Sequence, residues 1–275
     1  MSRIVAAIGA LADVTSVSRI LAAIGMLALA ASGTAQERVL PLSSLRSGIT
    51  FAGTDVRAMQ ADDFANPGML WVERGEALWR NPEGAAGASC ASCHGDAATT
   101  MRGVATRYPR WDAASGRVLE LEDRIDACRH DRQRAPPFGR GADPLLALAT
   151  YVSYQSRELP MKVVIDGPAR ASLERGRAFY YARHGQMNIS CAQCHEQNWG
   201  KRLLVETISQ GHGTAFPAYR LEWQGLGSLS RRLRACLFGV RAALPPEGAP
   251  ELVDLALFLA WRAEGLPLES PGVRR

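Results

Sequence analysis

Four of the chain's six cysteines fall in two five-residue motifs, CASCH at 90–94 and CAQCH at 191–195. In each motif two thiols stand one helical turn apart, and a histidine follows the second. At this spacing Cys90 and Cys93, and likewise Cys191 and Cys194, reach the two vinyl groups on one edge of a porphyrin. His94 and His195 would then aim an imidazole at the iron as proximal ligand. A single match could be a thioredoxin-like redox pair or half a zinc site. Two matches in one chain, each with its histidine, imply two covalently bound c-type haems.

The remaining cysteines, Cys128 and Cys236, belong to neither motif. Aligning the motifs brings much of the chain into register. ERG occurs at 73–75 and again at 174–176, with its glycine 15 residues before the first haem cysteine both times. Leu78-Trp79 matches Phe179-Tyr180, and RYPRW (107–111) resembles AFPAY (215–219). Pro109 precedes Cys128 by 19 residues, as Pro217 precedes Cys236. Arg124 and Arg232 each stand four residues before their cysteine. The apolar runs at 144–160 and 251–267 recur at helical spacing and both end in Leu-Pro. The chain therefore reads as a duplication: mainly α, two tandem cytochrome c-like domains, 36–160 with the first haem and 161–275 with the second. Each copy is expected to run from an N-terminal helix into its motif, through a loop with short helices, to a C-terminal helix. The second copy carries seven extra residues around SQGHGTA.

Methionine is the usual partner on the far side of the iron in small cytochromes c. No methionine occurs after Met187, Met101 lies only seven residues beyond His94, and Met161 follows the last helix of its copy. The matched cysteines, Cys128 and Cys236, are the expected axial ligands; thiolate is electron-rich and lowers a haem's potential. Open beside this are a Cys128–Cys236 disulfide, a pair of inert buried thiols, and imidazole ligation by His130, His184 or His212. His212 sits in the insertion, where a histidine of a Gly-rich loop is expected to be exposed. The two cysteines also differ in setting. Cys128 has Glu120, Glu122, Asp123 and Asp126 close in sequence, whereas Cys236 lies among Arg231, Arg232 and Arg234. On a helix Arg232 shares the face of Cys236, where a guanidinium favours thiolate and can hold an oxyanion. The plainer reading of this charge run is a solvated helix face.

Arg3 and Arg19 precede the apolar run 20–31, and small residues end in GTA at Ala35. A signal peptide over 1–35 is expected, with export to the periplasm. No later segment approaches the roughly 20 apolar residues that a membrane span needs. The net charge of +5, of which the leader supplies +1, argues against a nucleic-acid partner and suits an anionic ligand near one face.

Two C-x-x-C-H copies, a late cysteine in each, and YRLEWQGLGSLSRRLRACLFGVRA (219–242) together resemble the SoxA family. These are the dihaem subunits of L-cysteine S-thiosulfotransferase in the sulfur-oxidising (Sox) complex. The resemblance covers essentially the whole chain after the leader and is most specific over 219–242. It implies that Cys236 ligates the second haem iron, carries a persulfide and is the reacting residue. It implies that Arg232 binds substrate and that Cys128 is the axial ligand of the first haem iron. It implies a small monohaem cytochrome c subunit as heterodimer partner and a sulfur-carrier protein with a C-terminal cysteine. Thiosulfate would be coupled oxidatively to that cysteine, and two electrons would pass through the haems to a cytochrome c. Two other classes compete. A dihaem electron carrier without chemistry of its own would leave Cys236 unligated, and a dihaem peroxidase would need an open or displaceable sixth position at one haem.

Overall fold

The computed structural model describes residues 40–275; the expected leader, 1–35, lies outside the described residues. Two short 3-10 turns lead into α1 (Thr54–Ala61) and α2 (Met69–Arg80). The first motif forms α3 (Cys90–His94), followed by α4 (Ala97–Thr100), a hairpin of β1 (Arg110–Asp112) and β2 (Arg117–Leu119), α5 (Leu121–Cys128) and α6 (Asp143–Tyr154). The order then repeats with α7 (Ala169–Tyr181) and the second motif, α8 (Cys191–His195). A small hairpin, β3 (Arg202–Leu203) and β4 (Glu206–Thr207), precedes β5 (Ala218–Arg220) and β6 (Gly225–Gly227). Next come α9 (Leu229–Gly239), α10 (Pro250–Arg262) and β7 (Gly272–Arg274), which joins β5 in parallel. The fold is mainly α.

The glycines of the two ERG repeats set the helix pairing. A Cβ on Gly75 would lie 2.2 Å from the Ala147 carbonyl oxygen, so α2 and α6 approach backbone to backbone there. A Cβ on Gly176 would lie 2.0 Å from the Asp254 carbonyl oxygen, and α7 meets α10 in the same way. Only glycine allows this approach. Proline in the first turn helps start both C-terminal helices, and a run of apolar residues buries them nearly all round.

The loops differ from expectation in one respect. Each copy holds a β-hairpin where the sequence suggests only short helices. Strands of three residues are too short to display the alternation that marks a strand. The hairpins match in register: Arg110 faces Leu119 and Asp112 faces Arg117, while Ala218 faces Gly227 and Arg220 faces Gly225.

A single apolar core crosses the expected boundary near 160. It joins Ala105, Val118 and Met161 to Leu173, Tyr180, Leu257 and Phe258. Main-chain hydrogen bonds reinforce it, from Met161 to the Leu266 carbonyl (2.9 Å) and from Leu268 to the Leu159 carbonyl (2.9 Å). A second core, with Val72, Trp79, Leu148 and Tyr151, lies against the first motif.

Candidate functional site

Each motif helix begins on a serine cap. Ser89 Oγ accepts from the Ser92 amide at 3.0 Å, and Ser92 Oγ accepts from the Ser89 amide at 3.0 Å. Ser190 Oγ accepts from the Gln193 amide at 3.3 Å, and Gln193 Oε1 from the Ser190 amide at 2.9 Å. These reciprocal caps start a helix at the first cysteine of each motif, so both thiols fall on one face and the histidine follows.

The lone cysteines come to these motifs, one in each copy. Burial pushes the Cys90 thiol up to about 11, and the nearby Cys128 thiol adds to the rise. Burial pushes Cys191 up to about 12, with Cys236 as its next cause, and burial, then Cys236, also raises Cys194. Cys128 ends α5 and is half-buried; Cys236 lies in α9 and is exposed. No disulfide joins Cys128 to Cys236, each of which lies with the motif of its own copy.

The histidines are held differently. Trp79 in α2 packs on His94, with ring centroids 5.7 Å apart, and donates from Nε1 to the Gly95 carbonyl at 3.1 Å. His94 is otherwise exposed. His195 is tied through Nδ1 to the Ser209 carbonyl at 2.8 Å, which leaves Nε2 for a metal. Burial first, and after it the charges of Arg262 and Arg232, hold this imidazole below its ordinary pKa against the raising effect of the bond to Ser209. Gly211 lies close against the His195 ring, and Arg262 donates to the Gln210 carbonyl at 3.1 Å. The extra residues of the second copy thus cover its histidine. His212 is buried rather than exposed, because the loop folds inward onto His195. Burial, then the charges of Arg262 and His195, lower its pKa to about 3. His212 therefore sits on the His195 side of the motif. His130 is exposed beside Asp131, and His184 bonds the Phe179 carbonyl at 2.8 Å; neither is drawn to a motif cysteine. Met161 is buried in the shared core.

Paired thiols on one helical face, an imidazole with Nε2 free, and a further thiol beside them form the donor set of a haem c with a sulfur ligand. The residues present fit that group in both copies.

The arginines around Cys236 separate on inspection. Arg231 is exposed and stacks on Trp223, 4.2 Å from the ring centroid. Arg234 pairs with Glu247 at 3.6 Å. Arg232 lies one turn before Cys236 in α9, and among the described residues no carboxylate pairs with it. The first copy's counterpart, Arg124, is bonded to Asp112. The acids near Cys128 are also largely consumed. Arg140 takes Glu120 and Asp123, and the Asp126 carboxylate accepts from the Phe138 and Gly139 amides at 2.9 and 3.0 Å. The electrostatic contrast between the copies therefore lies in which arginine is neutralised, more than in bare carboxylates. Arg220, which sequence reasoning did not single out, is buried close to this site. It sits at the end of β5 and reaches Cys236 only through the fold.

A family model for the SoxA/TsdA cytochrome c domain matches residues 74–161. Fold and site together define a c-type cytochrome of this class, whose cofactor is haem c. Over 236 residues the chain is 42% identical to the L-cysteine S-thiosulfotransferase subunit SoxA of Pseudaminobacter salicylatoxidans, spanning 86% of this chain and 82% of that protein. It is 40% identical to the same subunit of Rhodovulum sulfidophilum, spanning 84% of this chain and 80% of that one. The crystal structure of SoxXA from P. pantotrophus matches with a TM-score of 0.81 and 36% identity, covering 84% of this chain and 87% of that chain. The chain belongs to the SoxA family.

Proposed function

We propose that the chain is the haem-bearing subunit of a periplasmic L-cysteine S-thiosulfotransferase, with two haems c, one in each of the copies 36–160 and 161–275. The observation that carries this reading is an arginine without a carboxylate partner among the described residues, Arg232, one helical turn from a thiol, Cys236. That arrangement can hold an oxyanion against a reactive sulfur. The family relatives, named as L-cysteine S-thiosulfotransferase subunits, support the same chemistry. The export expected from 1–35 accords with a periplasmic enzyme, and no helix of the described residues is long and apolar enough to cross a membrane.

In this proposal Cys90, Cys93, Cys191 and Cys194 would hold the two haems covalently, and His94 with Cys128, and His195 with Cys236, would supply the iron ligands. The haems supply one-electron redox chemistry and so give the electrons a way out. Ser209 and Gly211 fix the orientation of His195 from behind. Arg232 receives the sulfonate end of thiosulfate and leaves the terminal sulfur toward Cys236. A persulfide on Cys236 forms a sulfur–sulfur bond with that terminal sulfur, and two electrons are released. The thiolate of the carrier protein then attacks the thiosulfate-derived sulfur. It takes away the S–SO3 group, and the Cys236 persulfide returns as leaving group. The carrier thiol loses one proton to solvent, so charge and electrons balance. A small monohaem cytochrome c subunit is the proposed heterodimer partner, supported by the similarity to SoxXA. A cytochrome c is the electron acceptor.

Steady-state coupling of thiosulfate to a carrier protein, with cytochrome c as acceptor, tests the activity. Intact mass of the exported protein should give two haems and one extra sulfur. Electron paramagnetic resonance should find both irons low-spin with histidine and sulfur ligands. Spectra with only His/His or His/Met ligation would sink the assignment of Cys128 and Cys236.

A further inference from the structure

The two copies carry opposite charges at one matched position. Asp112 closes β1 and Arg220 closes β5, each three residues after its matched proline and sixteen before its lone cysteine. Their hairpin partners, Arg117 and Gly225, also match. In the first copy Asp112 accepts a hydrogen bond from Arg124, one turn before Cys128. Arg124 is thereby spoken for. In the second copy the corresponding two residues are Arg220 and Arg232, so the site that holds an internal ion pair in one copy holds two cations in the other.

Arg220 is an unusual cation in its own right. It is only 8% exposed, and among the described residues its Nε has no hydrogen-bond partner. Its guanidinium lies over Trp223, 5.1 Å from the ring centroid, and among the described residues its one carboxylate partner is Glu222, exposed and on the same turn. Burial lowers its pKa and the Arg232 charge lowers it further, against the opposing pulls of Glu222 and Cys236. Two neighbouring guanidiniums, one of them buried, are costly unless an anion joins them. The Arg220 guanidinium, packed over Trp223, keeps a planar donor fork that can engage two oxygens of an oxyanion.

We propose that Arg220 and Arg232 form a two-armed clamp for the sulfonate end of a dianionic sulfur oxyanion, and that Glu222 occupies Arg220 until the anion displaces it. The naming of thiosulfate as that anion rests on the function proposed above; the clamp itself does not. The same logic closes the first copy to anions, because Asp112 already fills the place that the sulfonate takes in the second.

Sulfate is the probe, since it is a dianion with a similar set of oxygens and lacks the terminal sulfur through which thiosulfate would react. Its affinity is measured by calorimetry on the haem-loaded full chain at constant ionic strength, alongside the KM for thiosulfate. Wild type should bind sulfate. Arg220→Gln should weaken sulfate about tenfold or more, as expected for a lost charged hydrogen bond, and raise KM more than it lowers kcat. Glu222→Gln, on an exposed side chain, should bind sulfate more tightly than wild type and lower KM. An Arg220→Gln protein with wild-type haem content and unchanged sulfate affinity overturns the clamp. So does a Glu222→Gln protein with unchanged affinity, which keeps the test decisive where Arg220→Gln fails to fold. Sulfate binding that depends on Arg220 in a protein without thiosulfate turnover upholds the clamp and sinks the thiosulfate reading. Normal turnover with an unchanged KM in Arg220→Gln does the reverse.

Discussion

Gly211→Ala asks whether the loop after the second motif holds His195 in place. Gly211 has φ +75°, and a Cβ there would lie 2.7 Å from His195 Cγ and 3.0 Å from Nδ1. Placing alanine in the left-handed region costs about 1–2 kcal/mol. Forcing a methyl into a closely packed ring adds about 1–3 kcal/mol. The ring can yield only by tilting, and tilting strains the 2.8 Å bond from Nδ1 to the Ser209 carbonyl. Gly87 separates the two effects. It has φ +56°, a methyl placed there would have nothing within 4 Å, and the matched residue of the other copy is Asn188 at φ +52°. Gly87→Ala therefore bears only the backbone cost. Denaturant titration of the haem-loaded protein should find Gly211→Ala less stable than Gly87→Ala by about 1–3 kcal/mol. Resonance Raman or paramagnetic resonance should register a change at one haem in Gly211→Ala and at neither in Gly87→Ala. Equal destabilisation of the two variants, with His195-linked signals unmoved, would refute the reasoning.

Cys236→Ser should abolish coupling of thiosulfate to the carrier, whereas Cys128→Ser should mainly alter the first haem's spectrum and potential; near-normal turnover in Cys236→Ser would mean that the active site is assigned to the wrong copy. Arg232→Lys keeps the charge but loses the two-pronged fork, and should lower kcat/KM by about 1.5–3 kcal/mol with haem content unchanged. Undiminished kcat/KM in Arg232→Lys would remove the case for a directed fork. Burial, with Glu120 as the next cause, pushes Glu122 up to about 8. The folded protein thus keeps a proton that an unfolded glutamate, with its ordinary value of 4.5, gives up, and stability should fall as pH rises between these two values. The slope for one such group is at most about 1.4 kcal/mol per pH unit, and Glu122→Gln should flatten it in unfolding midpoints taken across that window. An unaltered slope would show that Glu122 is not the group responsible.

Much of this is readable from residue types alone, and what is not has a physical reason. The motif helices, the paired long helices and the matched cysteines all rest on spacings within about twenty residues, where local geometry decides. The ERG glycines are visible as a repeat, but their purpose emerges only where Gly75 meets Ala147 and Gly176 meets Asp254. The insertion is visible as extra length; that it folds inward onto His195 and buries His212 depends on the bonds to Ser209 and Gln210. The acids near Cys128 look like a repelling field in sequence. Arg140, from beyond α5, neutralises two of them. Arg220 escapes notice in the sequence because sixteen residues separate it from Cys236, and only the hairpin turns that distance into proximity.

The matched geometry also explains how a duplicated fold can hold two different sites without losing its frame. Before each motif, the main chain bonds to the segment that follows the lone cysteine's helix. Ala85 and Ala86 donate to the Arg134 and Gln133 carbonyls, and Gln186 and Met187 donate to the Arg241 and Val240 carbonyls. Arg134 and Arg241 are both left-handed, at φ 53° and 56°. Yet Arg134 lies six residues after Cys128 and Arg241 only five after Cys236. The additional residue is absorbed by a π turn at Arg129–Gln133, a device that inserts one residue without breaking the ladder. That turn is itself pinned, with Arg129 paired to Glu83 and stacked 3.6 Å from the Phe138 ring centroid. The anchors on either side of each cysteine therefore stay fixed while the residues around it vary. One copy can commit its arginine to Asp112; the other can leave Arg232 without a carboxylate partner among the described residues. On the proposed reading this is what lets one haem site serve only the electrons while the other also receives the anion. The difference needs a change of charge at a strand end and no change in the two motif helices.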